Sequence, residues 1–327
     1  RASLDDTAAS STAIDPDAVD EVEIAVVAEP VGADAFGRAN ETARGSKTPL
    51  VCVELGGVGG VAVDGVDAAV SGYAPGTACH DCLRERVAAL VAGRQSVVVG
   101  GVVELPHAQR RVLPVPYCGC GVAGTNELRR HDEGRPLEES IAMAEVAFDD
   151  RIGPISSVGE AESFPVPYYL ATLADTPFSD ADAPEHAAGV GIDWDPAFMK
   201  ALGEALERYS AAIYRDDDFV TDPETPVSAE RFVAPDPDDV GPVSRWHEGE
   251  HLATGERVQL PAELVVFPPP ERTIRPAITT GLGFGNGGVD SICSGLYEVI
   301  ERDAAMLAWY STYEPMGLAI DDEGYRT

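Results

Sequence analysis

Apolar and polar positions near the start of the chain predict two strands with a helix between them. EIAVVAEP (23–30) and TPLVCVEL (48–55) are short runs rich in β-branched residues, which are typical of buried strands. Between them, ADAFGRANETAR (33–44) has a helical pattern. We therefore expect a βαβ-like unit, preceded over residues 1–21 by a flexible lead-in rich in alanine, serine and aspartate.

The glycine run GGVGG (56–60) follows the second predicted strand and has the composition of a nucleotide-binding loop. A phosphate-binding glycine loop must open a helix whose N–H groups face the anion. The residues that follow here, VAVDGV, continue as strand or turn. We therefore expect no nucleotide at this run.

Two long amphipathic helices are predicted in the second part of the chain. They cover DPAFMKALGEALERYSAAIYR (195–215) and VDSICSGLYEVIERDAAMLAWYS (289–311). Asp193 or Asp195 is the expected cap of the first helix, with Pro196 at its first helical position.

Shorter elements are predicted before and between these two helices in the sequence. The charged segment LRRHDEGRPLEE (128–139) is expected to open a helix that runs to about Ala147. Many prolines and aspartates predict a loop over 222–245, and LATGERVQLPAELVVF (252–267) predicts a strand pair joined near a glycine turn.

Both long helices carry the spacing Glu-x-x-Glu-Arg, in GEALER and YEVIER. Residues three and four apart project from one face of a helix, so each motif places two carboxylates and a guanidinium together. Apolar or small neighbours suggest that this face is buried or lines a cleft. Clustered carboxylates there need cations, and Mg²⁺ takes carboxylate oxygens while leaving room for phosphates. The alternative is a solvated acidic face with i,i+4 ion pairs.

A glycine-rich run, TTGLGFGNGGVD (279–290), immediately precedes the second helix. Its glycines allow a backbone to approach a ligand closely, and Asn286 can offer an amide hydrogen bond.

Four of the six cysteines lie in two close pairs, CHDC (79–82) and YCGCG (117–121). Four thiolates from two short knuckles suit a tetrahedral zinc ion, and with no open position such an ion is structural. Disulfides or separate buried thiols are the alternative, although a cytosolic chain disfavours disulfides. His80 and His107 are alternative ligands. The predicted zinc ligands are Cys79, Cys82, Cys118 and Cys120.

The charge of the chain changes the expected surroundings and partners. It has 327 residues, a formal charge of −33, and 56 acidic against 23 basic residues, of which only Lys47 and Lys200 are lysines. A hydrophobic content of 44% shows a globular protein, so we interpret the acidic surface as adaptation to a cytosol with very high salt. An acidic surface for a basic partner is the alternative.

Several classes of partner and location are disfavoured by the same sequence. No basic stripe is present to neutralise phosphates, so nucleic acid is not expected. No long apolar run or signal segment is visible, and we expect a cytoplasmic protein without a membrane span. Because the chain starts at Arg1 and stops after an acidic stretch, we expect it to be incomplete.

The order of the later motifs is similar to that of the YcaO family. Residues 279–310 resemble the family signature, in which a glycine-rich turn leads into a helix with Glu-x-x-Glu-Arg-Asp. GVGIDWDPAFMKALGEALERYSA (189–211) resembles its earlier nucleotide-binding helix, and residues 249–267 resemble the linking stretch. The resemblance covers roughly 145–327 and implies an α/β YcaO fold that binds ATP through a cluster of Mg²⁺ ions.

The resemblance also implies roles for individual residues. The magnesium-binding positions are Glu204, Glu207, Asp290, Glu298 and Glu301, with Asp290 where a glutamate is usual. The nucleotide-contacting positions are Arg208, Asn286 and Arg302. No catalytic residue is assigned.

Three positions depart from the family pattern. Val190 stands where many members have lysine, Lys200 where serine usually precedes the first motif, and Gly283 where serine is frequent. With these departures we still expect the chain to bind ATP, but we do not expect efficient turnover. The family's C-terminal portion does not appear in the chain.

The N-terminal part resembles the zinc-bearing, ThiF-like partner of azole-forming synthetases. PGTACHDCLRER (75–86) matches its Pro-Gly-x-x-Cys-x-x-Cys-Leu-x-x-Arg pattern, within a resemblance over about 20–125. The expected organisation is a lead-in (1–21), a zinc-binding α/β module that presents substrate (22–130) and a YcaO domain (131–327).

Together these resemblances imply an ATP-dependent cyclodehydratase that activates a backbone amide oxygen of a ribosomal peptide. The expected partner is that peptide, and the pattern also allows a leader-peptide-binding partner protein and a homodimer. A thioamide-forming enzyme and a non-catalytic zinc scaffold that binds peptide and partner are the two alternatives.

Overall fold

The computed structural model describes residues 15–63, 66–92, 112–120, 134–228, 231–232, 241–312, 314 and 317. The chain divides into two compact units. The first comprises Arg1–Glu127 and Pro136–Ala277, and the second comprises Leu128–Arg135 and Ile278–Thr327.

The predicted βαβ-like unit is confirmed at the start of the first unit. Strands β1 (Ala25–Pro30) and β2 (Leu50–Leu55) are parallel, with helix α1 (Asp34–Ser46) between them in the chain. Strand β5 (Ala68–Tyr73) runs antiparallel to β2 and gives the sheet order β1-β2-β5. Phe36 on α1 is fully buried against this sheet and anchors its core.

The glycine run GGVGG (56–60) lies in a small hairpin, which confirms the prediction that the chain continues there as strand or turn. Its strands are β3 (Gly57–Val58) and β4 (Val61–Ala62). Helix α2 (His80–Ala92), which follows β5, was not predicted. Its apolar signal is carried by Leu83 and Val87, which are four residues apart and both buried.

A second sheet and its helices complete most of the first unit. Strands β6 (Ile155–Glu162), β7 (Tyr168–Leu173) and β8 (His186–Val190) are antiparallel in that order. Helix α3 (Leu137–Ala144), extended by a 3₁₀ turn to Ala147, ends where predicted. Residues 128–133 of the segment expected to open it lie outside the described residues.

Helix α4 (Trp194–Ala211) packs on this second sheet. Gly189 of β8 lies so close to it that an added Cβ would be 2.2 Å from the backbone nitrogen of Ala201. Glycine is therefore required at this contact between strand and helix.

Two details of the α4 prediction were wrong. Pro196 lies at the third helical position, because the helix already begins at Trp194 after Asp193. The helix ends at Ala211 and does not reach residue 215. Ser179 redirects the chain there: its hydroxyl donates to the carbonyl oxygen of Ala212 (2.6 Å) and accepts from the N–H of Tyr214 (2.9 Å).

The predicted strand pair over 252–267 is shifted toward the N-terminus. Strands β9 (Trp246–Glu250) and β10 (Arg257–Pro261) form the hairpin, and a 3₁₀ turn follows at Ala262–Leu264. The turn between the strands contains Gly255 at φ 74°, a conformation that favours glycine. No regular strand or helix forms over 222–228, which agrees with the predicted loop in the described part of 222–245.

The second unit contains helix α5 (Gly288–Tyr310), the second predicted long helix. The arrangement of strands and helices makes the protein a mixed α/β protein, in agreement with the predicted fold class. Among the described residues, no helix has the length and apolar character needed to cross a membrane.

Candidate functional site

The first Glu-x-x-Glu-Arg motif lies on α4, where its helical geometry brings Glu204 and Arg208 together in an ion pair. Arg208 Nη1 also donates to the carbonyl oxygen of His186 on β8, at 2.9 Å. Arg208 Nε is buried and has no hydrogen-bond partner among the described residues. The guanidinium is thus fixed between helix and sheet, and one of its buried donors is unused.

The other motif residue on α4, Glu207, is half-buried and takes part in a further interaction. Two of the three departures from the family pattern lie nearby in sequence. Val190 ends β8 and is 47% exposed, and Lys200 lies on an exposed part of α4. The lysine is therefore accessible, although nothing in the structure assigns it a role.

The second motif lies on α5 and repeats the same local geometry. Arg302 Nε donates to Glu298 Oε1 at 2.8 Å, and the glutamate side chain is 31% exposed. Glu301, on the same helix, is exposed. Each motif therefore holds its first glutamate and its arginine as an i,i+4 pair.

The glycine-rich run folds back on the first turns of α5. The Asn286 N–H donates to Asp290 Oδ2 at 3.0 Å, and Asp290 occupies the third helical position, where a carboxylate complements the helix N-terminus. A Cβ on Gly283 would be 2.1 Å from the carbonyl oxygen of Ser291. The glycine at this departure from the family pattern is therefore required by backbone contact in this chain.

The two motifs belong to different compact units. Within the first unit the structure joins Glu204 to Arg208. Within the second it joins Glu298 to Arg302 and Asn286 to Asp290. The assignment of these residues to Mg²⁺ and nucleotide remains a prediction.

The four predicted zinc ligands come together in the first unit. Their sulfur atoms all lie within 4.8 Å of one another. The Sγ–Sγ distances are 3.8 Å for Cys79–Cys82, 3.6 Å for Cys79–Cys118 and 3.7 Å for Cys82–Cys120. Four sulfurs bound tetrahedrally at about 2.3 Å from zinc lie about 3.8 Å apart. The donor set therefore fits a zinc ion.

Local structure explains how the four thiols meet. Cys79 lies immediately before α2 and Cys82 in its first turn, so the helix start forms one knuckle. The Val115 N–H donates to Cys82 Sγ at 3.3 Å, which ties the second knuckle to the first. The hydrogen bond from Cys82 lowers the pKa of the Cys79 thiol below its usual value, which favours the thiolate that a zinc ion needs.

Neither alternative ligand joins this cluster among the described residues. His80 turns away from it: its ring is buried, stacks on Phe36 at a centroid distance of 5.3 Å, and lies 3.6 Å from a carboxylate oxygen of Glu54. His107 lies outside the described residues. The remaining cysteines, Cys52 and Cys293, are free.

Glu54 is a residue whose importance the sequence pattern did not indicate. It is fully buried at the end of β2, and its two carboxylate oxygens accept the N–H groups of Gly59 (2.8 Å) and Gly60 (2.7 Å). The run GGVGG therefore surrounds a carboxylate of its own chain. Burial raises the pKa of Glu54, but the neighbouring His80 ring and the hydrogen bonds from these glycines outweigh it and hold the pKa below its usual value.

Comparison with known proteins finds a similarity in the second part of the chain. Residues 188–326 match the model of the YcaO cyclodehydratase family, which is described as ATP- and Mg²⁺-binding. The chain is also 32% identical over 177 residues to an uncharacterized protein of Methanothermobacter thermautotrophicus, over 52% of this chain and 45% of that protein.

Two solved structures are similar in fold. One is a heterocyclase in complex with substrate and cofactor, with a TM-score of 0.59 and 16% identity, over 88% of this chain and 52% of that chain. The other is YcaO from Methanopyrus kandleri bound with AMPPCP and Mg²⁺, with a TM-score of 0.48 and 24% identity, over 58% and 49% of the two chains. The chain spans about half the length of each of these proteins.

The two Glu-x-x-Glu-Arg helices, α4 and α5, both lie within the matched segment. Residues 188–326 are similar to the YcaO family, whose model they match. The mixed α/β fold agrees with the predicted YcaO-type fold class. The ThiF-like character of the N-terminal part remains a prediction.

Proposed function

We propose that this protein activates a backbone amide oxygen of a peptide by ATP-dependent phosphorylation, as a step toward an azoline. The observation that carries the proposal is the family match, because residues 188–326 include both acidic helices and the glycine-rich turn. The matched family is described as binding ATP and Mg²⁺. The peptide substrate and the azoline product are our inference.

Mg²⁺, when bound, supplies the positive charge that neutralises the carboxylates and the nucleotide phosphates. The acids that would hold it lie on the two long helices: Glu204, Glu207, Asp290, Glu298 and Glu301. A role of Arg208 in phosphate binding is supported by its fixed position, with a hydrogen bond to the carbonyl oxygen of His186 and an unpaired Nε. Arg302 and Asn286 have the corresponding role in the second unit.

The chemistry is a phosphoryl transfer to an amide oxygen. A cysteine, serine or threonine side chain of the peptide adds to the preceding amide carbon, and the oxygen takes the γ-phosphoryl group of ATP, releasing ADP. Loss of inorganic phosphate then forms the azoline. The peptide loses one water in total, and charge neutralisation by the arginines and Mg²⁺ favours the transfer.

We also propose that Cys79, Cys82, Cys118 and Cys120 hold a structural zinc ion. The support is their tetrahedral spacing and the absence of an open ligand position once all four bind. In this proposal the zinc holds the start of α2 and the segment at 112–120 together.

ATP hydrolysis stimulated by peptide tests the enzymatic proposal. We expect Glu298→Gln to reduce it about 100-fold or more, because one neutralised ligand weakens the metal cluster. Glu41→Gln, an equivalent change at an exposed position of α1, should leave it unchanged. If neither hydrolysis nor binding of an ATP analogue occurs, the enzymatic proposal is wrong and a non-catalytic zinc scaffold remains.

Mass spectrometry of the peptide after incubation with ATP identifies the product. A loss of about 18 Da marks cyclodehydration and supports the proposal, since ring formation removes one water. A gain of about 16 Da with a sulfur donor marks exchange of oxygen for sulfur, which would replace the azoline with a thioamide in the same phosphorylation scheme.

A further inference from the structure

Arg86 of α2 is buried and joins two parts of the first unit that are far apart in the chain. The residue is 5% exposed, and each nitrogen of its guanidinium donates a hydrogen bond. Nε donates to the carbonyl oxygen of Leu113 (3.0 Å) and Nη2 to that of Pro114 (2.9 Å). Nη1 donates to the hydroxyl oxygen of Tyr209 on α4 (3.3 Å). The arginine therefore ties the segment that precedes the second cysteine pair to the last turn of α4.

All three acceptors of Arg86 are neutral oxygens, and no described carboxylate pairs with it. Burial of an unpaired guanidinium costs free energy that an apolar side chain of similar size would avoid. A planar guanidinium, however, holds several acceptors at fixed positions relative to one another, because its donors form a rigid fork. Positioning therefore explains the contacts of Arg86 better than stability does.

The second cysteine pair also contacts the residues that follow α4. Tyr117 lies immediately before Cys118, and its hydroxyl donates to Asp218. The Arg215 guanidinium carbon lies 4.3 Å from the centroid of the Tyr117 ring, and Asp218 accepts the Arg215 N–H at 2.8 Å. Two separate contacts, through Arg86 and through Tyr117, thus connect the cysteine cluster to the C-terminal end of α4.

Tyr209 directly follows Arg208, the predicted nucleotide contact on α4. Its ring is buried in the core between α4 and the second sheet, and its hydroxyl is held by Arg86. Successive residues of a helix are about 100° apart around the axis, so a fixed Tyr209 also fixes the direction in which Arg208 leaves the helix. The hydrogen bond from Arg208 to the carbonyl oxygen of His186 (2.9 Å) depends on that direction.

We propose that Arg86 is a positioning residue for the ATP site: it holds Tyr209, and through it the Arg208 guanidinium, in the orientation that binds phosphate. This inference rests on the proposed function, because it requires that Arg208 contacts the nucleotide. Arg86 is itself buried and acts only through α4. The proposal gives a role to the arginine of the Pro-Gly-x-x-Cys-x-x-Cys-Leu-x-x-Arg pattern, which the four zinc ligands do not need.

Equilibrium binding of AMPPCP with Mg²⁺, measured by calorimetry without peptide, tests this role. We expect Tyr209→Phe to weaken binding about fivefold or more, because the phenyl ring keeps the packing but gives Arg86 no acceptor and no longer fixes the rotation of α4. The matched control is Tyr214→Phe. It loses a similarly buried hydroxyl, which donates to the carbonyl oxygen of Pro268 (2.8 Å) and does not contact Arg86, so binding should be unchanged.

A double-mutant comparison separates positioning from a general loss of stability. Arg208→Gln removes the predicted phosphate contact, so Tyr209→Phe should cause no further loss of binding in that background, since both changes act through one group. Independent structural effects would instead add. If Tyr209→Phe does not fold, Arg86→Lys takes its place in both comparisons, because lysine keeps the charge but lacks the fork that holds three acceptors.

Three results would overturn the proposal while the proposed function stands: Tyr209→Phe binds AMPPCP as tightly as Tyr214→Phe, the losses in Tyr209→Phe and Arg208→Gln add fully, or Arg86→Lys binds as tightly as the unaltered protein. If the unaltered protein does not bind AMPPCP with Mg²⁺, the proposed function is wrong and the role of Arg86 is wrong with it. Binding by the unaltered protein therefore distinguishes the two failures.

Discussion

At the scale of single residues, Glu54 determines the course of the backbone around it. Its carboxylate accepts two N–H groups from a turn in which Gly59 and Gly60 have φ values of 58° and 80°. Only glycine adopts such values at little cost. The glycine run GGVGG has the composition of a phosphate-binding loop, but its N–H groups bind the Glu54 carboxylate of the same chain.

We expect Glu54→Gln to lower the free energy of unfolding by about 1–3 kcal/mol, because the amide presents a donor to a backbone N–H that needs an acceptor. The folded-state pKa of Glu54 is depressed, so its contribution to stability is complete above the unfolded pKa and is lost as pH falls through the folded pKa. Urea unfolding at neutral and acidic pH measures both effects. Glu29→Gln, at an exposed position of β1, is the control.

Gly283 is a second residue whose identity is explained by the structure and not by the sequence pattern. We expect Gly283→Ser to speed hydrogen exchange in the first turns of α5, because its Cβ would overlap the Ser291 carbonyl oxygen and cost about 1–3 kcal/mol. Gly45→Ser on α1, where an added Cβ meets nothing within 4 Å, should have no such effect. Unchanged exchange in α5 would contradict the contact.

At the scale of elements, α2 links the predicted zinc site to the rest of the first unit. We expect one zinc per chain by elemental analysis, and loss of it in Cys118→Ser together with a lower melting temperature. A missing ligand removes metal-binding free energy that is also folding free energy. Cys293→Ser, outside the cluster, should keep both the zinc and the melting temperature. A protein that melts identically after chelation would show that the cluster does not hold a stabilising metal.

The elements also show which signals a sequence carries well. Helix α5 was predicted within one residue at each end, because its apolar pattern is long and a glycine-rich run precedes it. The end of α4 was missed, since it depends on Ser179, a distant residue in the chain. The hairpin β9–β10 was misplaced for a related reason: polar strands such as WHEGE have no apolar alternation that would mark them.

At the scale of the whole molecule, charge should control stability. The formal charge of −33 creates repulsion that salt screens, with a screening length of about 10 Å at 0.1 M and about 3 Å at 1 M. We expect the melting temperature to rise as potassium chloride increases from about 0.1 to about 2 M. Sodium sulfate at equal ionic strength distinguishes screening from anion exclusion. A falling or constant melting temperature in both salts would contradict the salt-adaptation interpretation.

The sequence alone indicated the resemblance to the YcaO family and determined the two acidic helices and the set of four cysteines. These follow from local spacing, since a helix places residues three and four apart on one face wherever it forms. Tertiary structure alone decided that GGVGG surrounds Glu54, that His80 faces this carboxylate and not the cysteines, and that Arg86 of α2 contacts Tyr209 of α4. Each of these depends on contacts between segments far apart in the chain, which no local pattern encodes.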